Sequence, residues 1–418
     1  MSTTSTKLLA APLAHSVQAL VDRYDSSAFA PEHGRARVRL ELPGADAWDA
    51  VLERGTARTE PAHGPADALL SADAATWATI VADPPGGMRA YESGRLSVRR
   101  NMHLGIGFLA STSGISSPGR LRFATIVTRR VRLSTMEAGT GTPVLAIHGL
   151  GATKGSFLTT VVALADRFRV IATDLPGFGD SDKPIGVRYD PGYFADTIVD
   201  LLDALGLDRV HLIGNSLGGR IALEVALRTP QRVGRVALLA PSLAWRRPRR
   251  WAPALRLVRP ELGLVQLAPR PVVQALVQRL VPGADGGWAA AGVDEFLRAY
   301  LTPAGRAAFY AAARHILLEA PDGKDGFWPR LGELAPEALF VWGRRDTLVP
   351  IAFARHIAEA LPQARQLKLD CGHVPQIERP AQTNKAIIEF FSEPALSPVS
   401  LTAPAPRPAR PTPGVGSR

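Results

Sequence analysis

The sequence holds a single cysteine, Cys371, in 418 residues. No internal disulfide can form, so a reducing, cytoplasmic compartment fits best. Long hydrophobic runs are missing too: no apolar stretch reaches the ~18 residues of a membrane-spanning helix. The N-terminal MSTTSTKLLAAPLAHSVQAL has a short apolar patch broken by Pro12 and His15, so a secretory leader is not expected. Aromatic residues are few, at 6%, and the net charge of +11 comes mostly from scattered arginines. With no basic helix, aromatic stacking platform or zinc knuckle, nucleic acid is not the expected partner. No motif calls for a metal or an organic cofactor. What remains is globular: hydrophobic residues reach 46% against 21% charged, enough for a sizeable core. The length suggests roughly two to three domains at ~150 residues each.

Three regions separate along the chain. Residues 1–113 have a small α+β pattern. A helix-like start carries Val17, Leu20 and Val21, and RVRLEL alternates Val38, Leu40 and Leu42 as a strand does. A second strand is expected from Trp48 to Arg58. ALLSAD then leads to the helix AATWATIVAD, which Asp73 can cap. A short helical segment ends at SGRLSV, and NMHLGIGFLAST reads as a final apolar helix. The Ser/Gly/Pro-rich stretch within 114–124 reads as a linker. Residues 125–393 alternate β-branched runs with helices: ATIVTRRVRLST, PVLAIHG, FRVIATDL, RVHLIGN, RVALLAP, ALFVWG and ARQLKLD. The first can hold a hairpin. The later ones are near-continuously apolar, as parallel strands buried on both faces are. Helical connections between them imply right-handed crossovers in a doubly wound α/β sheet. Between RVALLAP and ALFVWG lie about ninety mostly helical residues, far beyond a normal connection, so an inserted subdomain is expected at about 243–335. Residues 394–418, rich in Pro, Ala and Arg, cannot build a core.

The most informative segment is VHLIGNSLGGRIALEVAL, a strand, then Gly214-Asn215-Ser216-Leu217-Gly218, then a helix. G-x-S-x-G in that setting is a sharp turn that lifts a serine above the sheet edge, with small residues required two positions either side. A serine hydroxyl needs a base, itself oriented by an acid. ALFVWG runs into Asp346 and QLKLD runs into His373, each just past a strand end. Active groups of open α/β sheets gather at the carboxyl ends of strands, so Ser216, Asp346 and His373 converge by topology. Asp370 is the rival acid, but it stands only three residues before the histidine, and Asp346 is preferred. A developing oxyanion needs donors. One is the N–H of Leu217. The other is the N–H of Leu150, in the loop His148-Gly149-Leu150-Gly151, whose glycines let the backbone come close.

With HGLG, DLPGFGDSDKP, GNSLGG, WGRRDTLVP and CGHVPQIERP in order, residues from about Thr125 to Glu393 resemble the alpha/beta-hydrolase superfamily. The resemblance implies an eight-stranded mostly parallel sheet, a helical cap at the insertion, and a Ser216–His373–Asp346 triad. Serine at the elbow points away from relatives with an aspartate nucleophile, the dehalogenases and epoxide hydrolases. The implied activity is hydrolysis of a carboxylic ester or thioester of a lipophilic acid. The GNS elbow and cap are equally those of carbon–carbon bond hydrolases acting on vinylogous diketones.

ALLSADAATWATIVADPPGGMRAYESGRLSVRRNMHLGIGFLAS resembles, more softly, the sterol-carrier-protein lipid-binding domain, which implies a sheet covered by helices and an apolar tunnel. A lipid module tethered to a hydrolase would raise local substrate concentration to about the mM range. A non-catalytic lipid carrier is a third reading. In the cap, SLAWRRPRRWAPALRLVRP sets Arg246, Arg247, Arg249, Arg250, Arg256 and Arg259 among Trp245, Trp251 and Leu255. Such interleaving suits peripheral contact with an anionic membrane, or the mouth of a site for an acidic substrate.

Overall fold

The computed structural model describes residues 4–32, 34–82, 86–114, 119–246, 259–267, 269–280 and 287–393. In the first region α1 (Thr4–Val21) leads into β1 (Arg35–Glu41), β2 (Ala47–Glu53), β3 (Thr56–Pro61) and β4 (Ala68–Ser71). Helices α2 (Ala74–Ala82) and α3 (Gly86–Glu92), strand β5 (Ser97–Arg99) and helix α4 (Met102–Ser111) complete it. The strand order is β3-β2-β1-β4-β5, with β1 and β4 parallel and the other pairs antiparallel. The single strand expected from Trp48 to Arg58 is corrected to a hairpin of β2 and β3. Arg54 and Gly55 take φ of 51° and 81° there and reverse the chain. SGRLSV, read only as a helix end, supplies the edge strand β5.

Alternation sets the two faces of this small sheet. Ala36, Val38 and Leu40 of β1 are buried, beside Ala50 and Leu52 of β2. On the opposite face Arg39 and Arg37 close on the fully buried Asp49, donating from Arg39 Nε at 2.8 Å and Arg37 Nη1 at 2.8 Å. Helix α4 is capped by the Asn101 side chain, which accepts the Leu104 N–H at 2.9 Å. Apart from His103 all its residues are buried. Gly105 lets it press on Val98, since a Cβ there would lie 2.5 Å from that side chain.

The second region holds β6 (Arg122–Val127), β7 (Arg132–Ala138), β8 (Thr142–Ile147), α5 (Leu158–Leu164) and β9 (Phe168–Thr173). It continues with α6 (Pro191–Ala204), β10 (Val210–Asn215), α7 (Leu217–Arg228) and β11 (Val233–Leu239). The insertion follows: α8 (Leu262–Val265), α9 (Arg270–Leu280), α10 (Gly287–Tyr300), α11 (Pro303–Leu318) and α12 (Phe327–Leu331). The chain returns through β12 (Glu337–Gly343), α13 (Phe353–Ala360), β13 (Arg365–Leu369), α14 (Pro375–Glu378) and α15 (Pro380–Ser392). The eight strands order as β13-β12-β11-β10-β8-β9-β7-β6. β6 and β7 form an antiparallel hairpin, β7 is antiparallel to β9, and every other pair is parallel. This is the expected eight-stranded, mostly parallel α/β sheet with a smaller sheet ahead of it.

Both faces of the large sheet are covered, which is why Val144–Ile147 and Leu212–Asn215 are buried without alternation. One core lies under α6 and α7. The other runs unbroken from Leu20, Leu40 and Phe108 of the first region to Val144, Val170 and Val341 of the second. The end of the expected linker joins this packing: Leu121 is buried, and Arg120 donates to the carbonyls of Ala110 and Ser111. Residues 115–118 and the tail from Pro394 lie outside the described residues. So do Arg247, Arg249, Arg250, Trp251, Leu255 and Arg256 of the arginine-rich cap segment. Arg246 lies over the Trp328 ring, 4.7 Å from its centroid, and Arg259 is exposed.

Candidate active site

β10 ends at Asn215 and α7 starts at Leu217, leaving Ser216 alone on the turn with φ 52° and ψ −115°. L-residues avoid that region at a cost of about 1–3 kcal/mol, so surrounding structure must impose it. It does so through β11: Ser216 N–H donates to Leu239 O at 3.0 Å, and Ser216 O accepts Ser242 N–H at 2.9 Å. Side chains are excluded at the flanking positions. A Cβ on Gly218 would sit 2.6 Å from His148 O, and one on Gly214 would lie 2.5 Å from the Gly218 carbonyl carbon. The serine is half-buried.

Asp346, in the loop after β12, is buried and held by its own turn. Its Oδ1 accepts the N–H groups of Leu348 at 2.8 Å and Val349 at 2.9 Å. Its Oδ2 lies 2.8 Å from His373 Nδ1, in the loop after β13. An ionised carboxylate only accepts, so Nδ1 carries the proton and Nε2 is left as the basic nitrogen. Asn215 ties this loop to the elbow, its Nδ2 donating to Leu239 O at 2.9 Å and to His373 O at 3.2 Å. The rival Asp370 instead pairs with Arg345 on the surface, 3.0 Å from its Nε. Cys371, next to this loop, is buried, and burial pushes its thiol up to about 11.

The loop after β8 lies against the elbow: a Cβ on Gly149 would be 3.2 Å from Ser216 Cβ. Leu217 N–H stands at the first helical position, where no intrahelical acceptor exists. Leu150, half-buried, follows Gly149 in the same loop. His148 braces it from beneath. Its Nδ1 donates to Gly149 O at 2.7 Å and its Nε2 accepts Leu175 N–H at 2.9 Å. Burial holds this imidazole below its usual pKa, hence neutral. Gly151, with φ 73°, faces the insertion: a Cβ there would lie 2.8 Å from the Phe296 ring.

Several supporting residues were not among the residues read from the sequence. Glu378 clamps the His373 loop, accepting Gly372 N–H at 2.6 Å and Val374 N–H at 3.1 Å. Lys154, just past HGLG, is buried with its Nζ 2.6 Å from Asp174 and 3.3 Å from Asp180. Burial alone would lower the lysine, but the two carboxylates hold it above its ordinary value. The D-x-P-G-x-G-D spacing after β9 is the trace these carboxylates leave in the sequence. Among the described residues no cluster of three or more His, Cys, Asp or Glu is placed to hold a metal ion.

Residues 142–380 match the profile of the alpha/beta hydrolase fold. The chain is 31% identical over 274 residues to a 2-hydroxy-6-oxo-6-phenylhexa-2,4-dienoate hydrolase of Burkholderia cepacia, covering 62% of this chain and 91% of that protein. It is 31% identical over 286 residues to haloalkane dehalogenase 2 of Mycobacterium tuberculosis, covering 63% and 92% respectively. A solved bacterial membrane phospholipase A superposes with a TM-score of 0.52 at 28% identity, over 65% of this chain and 86% of that one. The chain belongs to the alpha/beta hydrolase fold family and is an enzyme of its hydrolase class.

Proposed function

We propose that this enzyme is a serine hydrolase that cleaves carboxylic esters or thioesters of lipophilic acids through an acyl-enzyme on Ser216. The observation that carries the reading is the pairing of His373 with Asp346, in a loop that Asn215 ties to the elbow where Ser216 takes a φ of 52°. His373 Nε2 takes the hydroxyl proton and the Ser216 oxygen attacks the carbonyl carbon. The carbonyl oxygen, now negative, is held by the N–H groups of Leu150 and Leu217. His373 returns the proton to the leaving alcohol or thiol. Water, activated by the same imidazole, then frees the acid. A fluorophosphonate probe should label the wild-type protein, and Ser216→Ala should lose both labelling and turnover of a chromogenic ester while keeping its fold. Wild-type rates in that variant would end the assignment.

A second reading rests on the Burkholderia relative, whose name describes a carbon–carbon bond hydrolase. Faster turnover of a vinylogous diketone ring-fission product than of any ester would favour it. The dehalogenase relative gives no third reading, because this elbow carries serine.

The lipophilic substrate is supported by the phospholipase neighbour and by the first region. Its five-stranded sheet covered by helices fits the resemblance to a sterol-carrier lipid-binding domain. Displacement of a fluorescent fatty acid from the intact chain tests acyl binding, and no saturable binding would refute it. No described helix is long and apolar enough to cross a membrane. Leu262, Val265, Leu267 and Val272 of the insertion are exposed near Arg259 and Arg270, which supports peripheral contact with anionic lipid. Equal sedimentation with neutral and anionic vesicles would remove that part.

A further inference from the structure

The first region grips the insertion at one helix. Arg99 Nε lies 2.7 Å from Asp294 on α10, and Arg100 N–H donates to the same carboxylate at 2.9 Å. One residue on, Glu295 accepts the Met102 N–H at 2.7 Å, at the N-terminus of α4. Both carboxylates are buried. The other oxygen of Glu295 receives Arg298 Nη2 at 2.9 Å. Arg298 reaches Asp180, the carboxylate that Lys154 shares behind the HGLG loop. The Met102 side chain also covers this loop's continuation, since a Cβ on Gly155 would be 2.7 Å from its sulfur.

The next residue on α10 is Phe296. Adjacent helical positions diverge by about 100°, so one side of α10 meets the first region while the neighbouring side meets the HGLG loop. Phe296 presses on Gly151 there and packs with Tyr300, ring centroids 4.9 Å apart, and with Phe309 at 5.6 Å. An apolar contact could join two regions without fixing a rotation. Buried carboxylates on directed N–H groups fix it, because a shifted helix would leave them unpaired.

We propose that the first region is a clamp that sets acyl specificity: by holding Asp294 and Glu295 it fixes Phe296 over the oxyanion loop and so decides which acyl chains reach Ser216. The inference rests on the serine-hydrolase reading. Asp294 and Glu295 are positioning residues, acting through Phe296.

The test uses the full chain with p-nitrophenyl acetate and p-nitrophenyl decanoate, comparing wild type with Asp294→Asn, Glu295→Gln and Phe296→Ala. Probe labelling and acetate kcat should stay within about twofold in the two clamp variants, while the decanoate-to-acetate ratio of kcat/KM moves about tenfold. Phe296→Ala should move that ratio in the same direction. Should Asp294→Asn fail to fold, Arg99→Met removes its side-chain partner from the other side and is read in the same way. An unchanged ratio in the folded clamp variants would overturn the proposal. So would acetate and decanoate rates falling in parallel, which marks a merely structural contact. Wild-type protein left unlabelled by the probe would defeat the serine reading itself, separately from these ratios.

Discussion

The two sheets of this chain each bury an aspartate, and they bind it with different partners. In the small sheet Asp49 sits between two guanidiniums, with Arg39 closing on both its oxygens. Burial would raise its pKa, but the hydrogen bonds from Arg39 and Arg37 win and hold it below the ordinary carboxylate value. An arginine never gives up its proton at ordinary pH, so this cluster can only staple two strands together. At the rim of the large sheet Asp346 takes two backbone N–H groups and one imidazole. The backbone donors fix its direction, and the imidazole, unlike a guanidinium, has one nitrogen that can accept as well as one that donates. One buried carboxylate thus meets only donors, and the other meets a ring that can both donate and accept.

Removing the acid at the rim should have the largest effect. Asp346→Asn keeps an oxygen for Leu348 and Val349 N–H but cannot hold the protonated imidazole. Ester kcat should fall about 10⁴-fold, on the order of 5 kcal/mol, with an unchanged thermal midpoint. A loss below about a hundredfold would mean that another acid, Asp370 first, serves His373. In the small sheet the sign of the experiment reverses. Asp49→Ala removes the acceptor that Arg37 and Arg39 share, leaving Arg37 with Glu60 and Arg39 with the carbonyls of His63 and Gly64, and unfolding in urea should show about 3 kcal/mol lost. Acetate turnover of the folded protein should be retained. A variant as stable as the wild type would make Asp49 a dispensable surface contact and erase the contrast.

The rim was legible in the sequence because each part is local. Strand, G-x-S-x-G and helix stand together around Ser216, and Asp346 and His373 each follow directly on an apolar run. The small region was legible in outline only. The Arg54-Gly55 turn lacks the Asn-Gly or Asp-Gly signal of a tight hairpin, so two strands read as one. Glu378 acts on backbone N–H groups before it in the chain, and no periodicity marks such a contact. The clamp was hidden for a simpler reason. Arg99 and Asp294 are 195 residues apart, and either alone reads as a solvated charge. Separation along the chain hid the continuous core too, since Phe108 and Val170 look like interior residues of separate domains.

The smallest expected effect concerns a histidine of the large sheet that, unlike His373, has no carboxylate partner. His211 on β10 stacks on Phe391, ring centroids 4.5 Å apart, and its Nδ1 accepts Arg235 N–H at 2.9 Å. Burial, with the charges of Arg235 and Arg209, pushes its pKa down to about 4. In the unfolded chain the imidazole titrates near 6.5, so below that pH the unfolded state binds the extra proton. Its contribution is therefore complete above about pH 6.5 and is lost as pH falls toward 4, with about 1 kcal/mol gone by pH 5 after allowance for partial exposure. His103 and His148 are depressed by burial in the same direction, so wild-type acid sensitivity alone would not isolate His211. His211→Phe keeps the stacking and removes the titration. It also strands Arg235 N–H, but that cost is the same at every pH. The stability difference between variant and wild type should thus shrink by about 1 kcal/mol between pH 7 and pH 5. A difference that stayed constant would mean that His211 takes up its proton in the folded state, and that an imidazole in this sheet can titrate without a carboxylate.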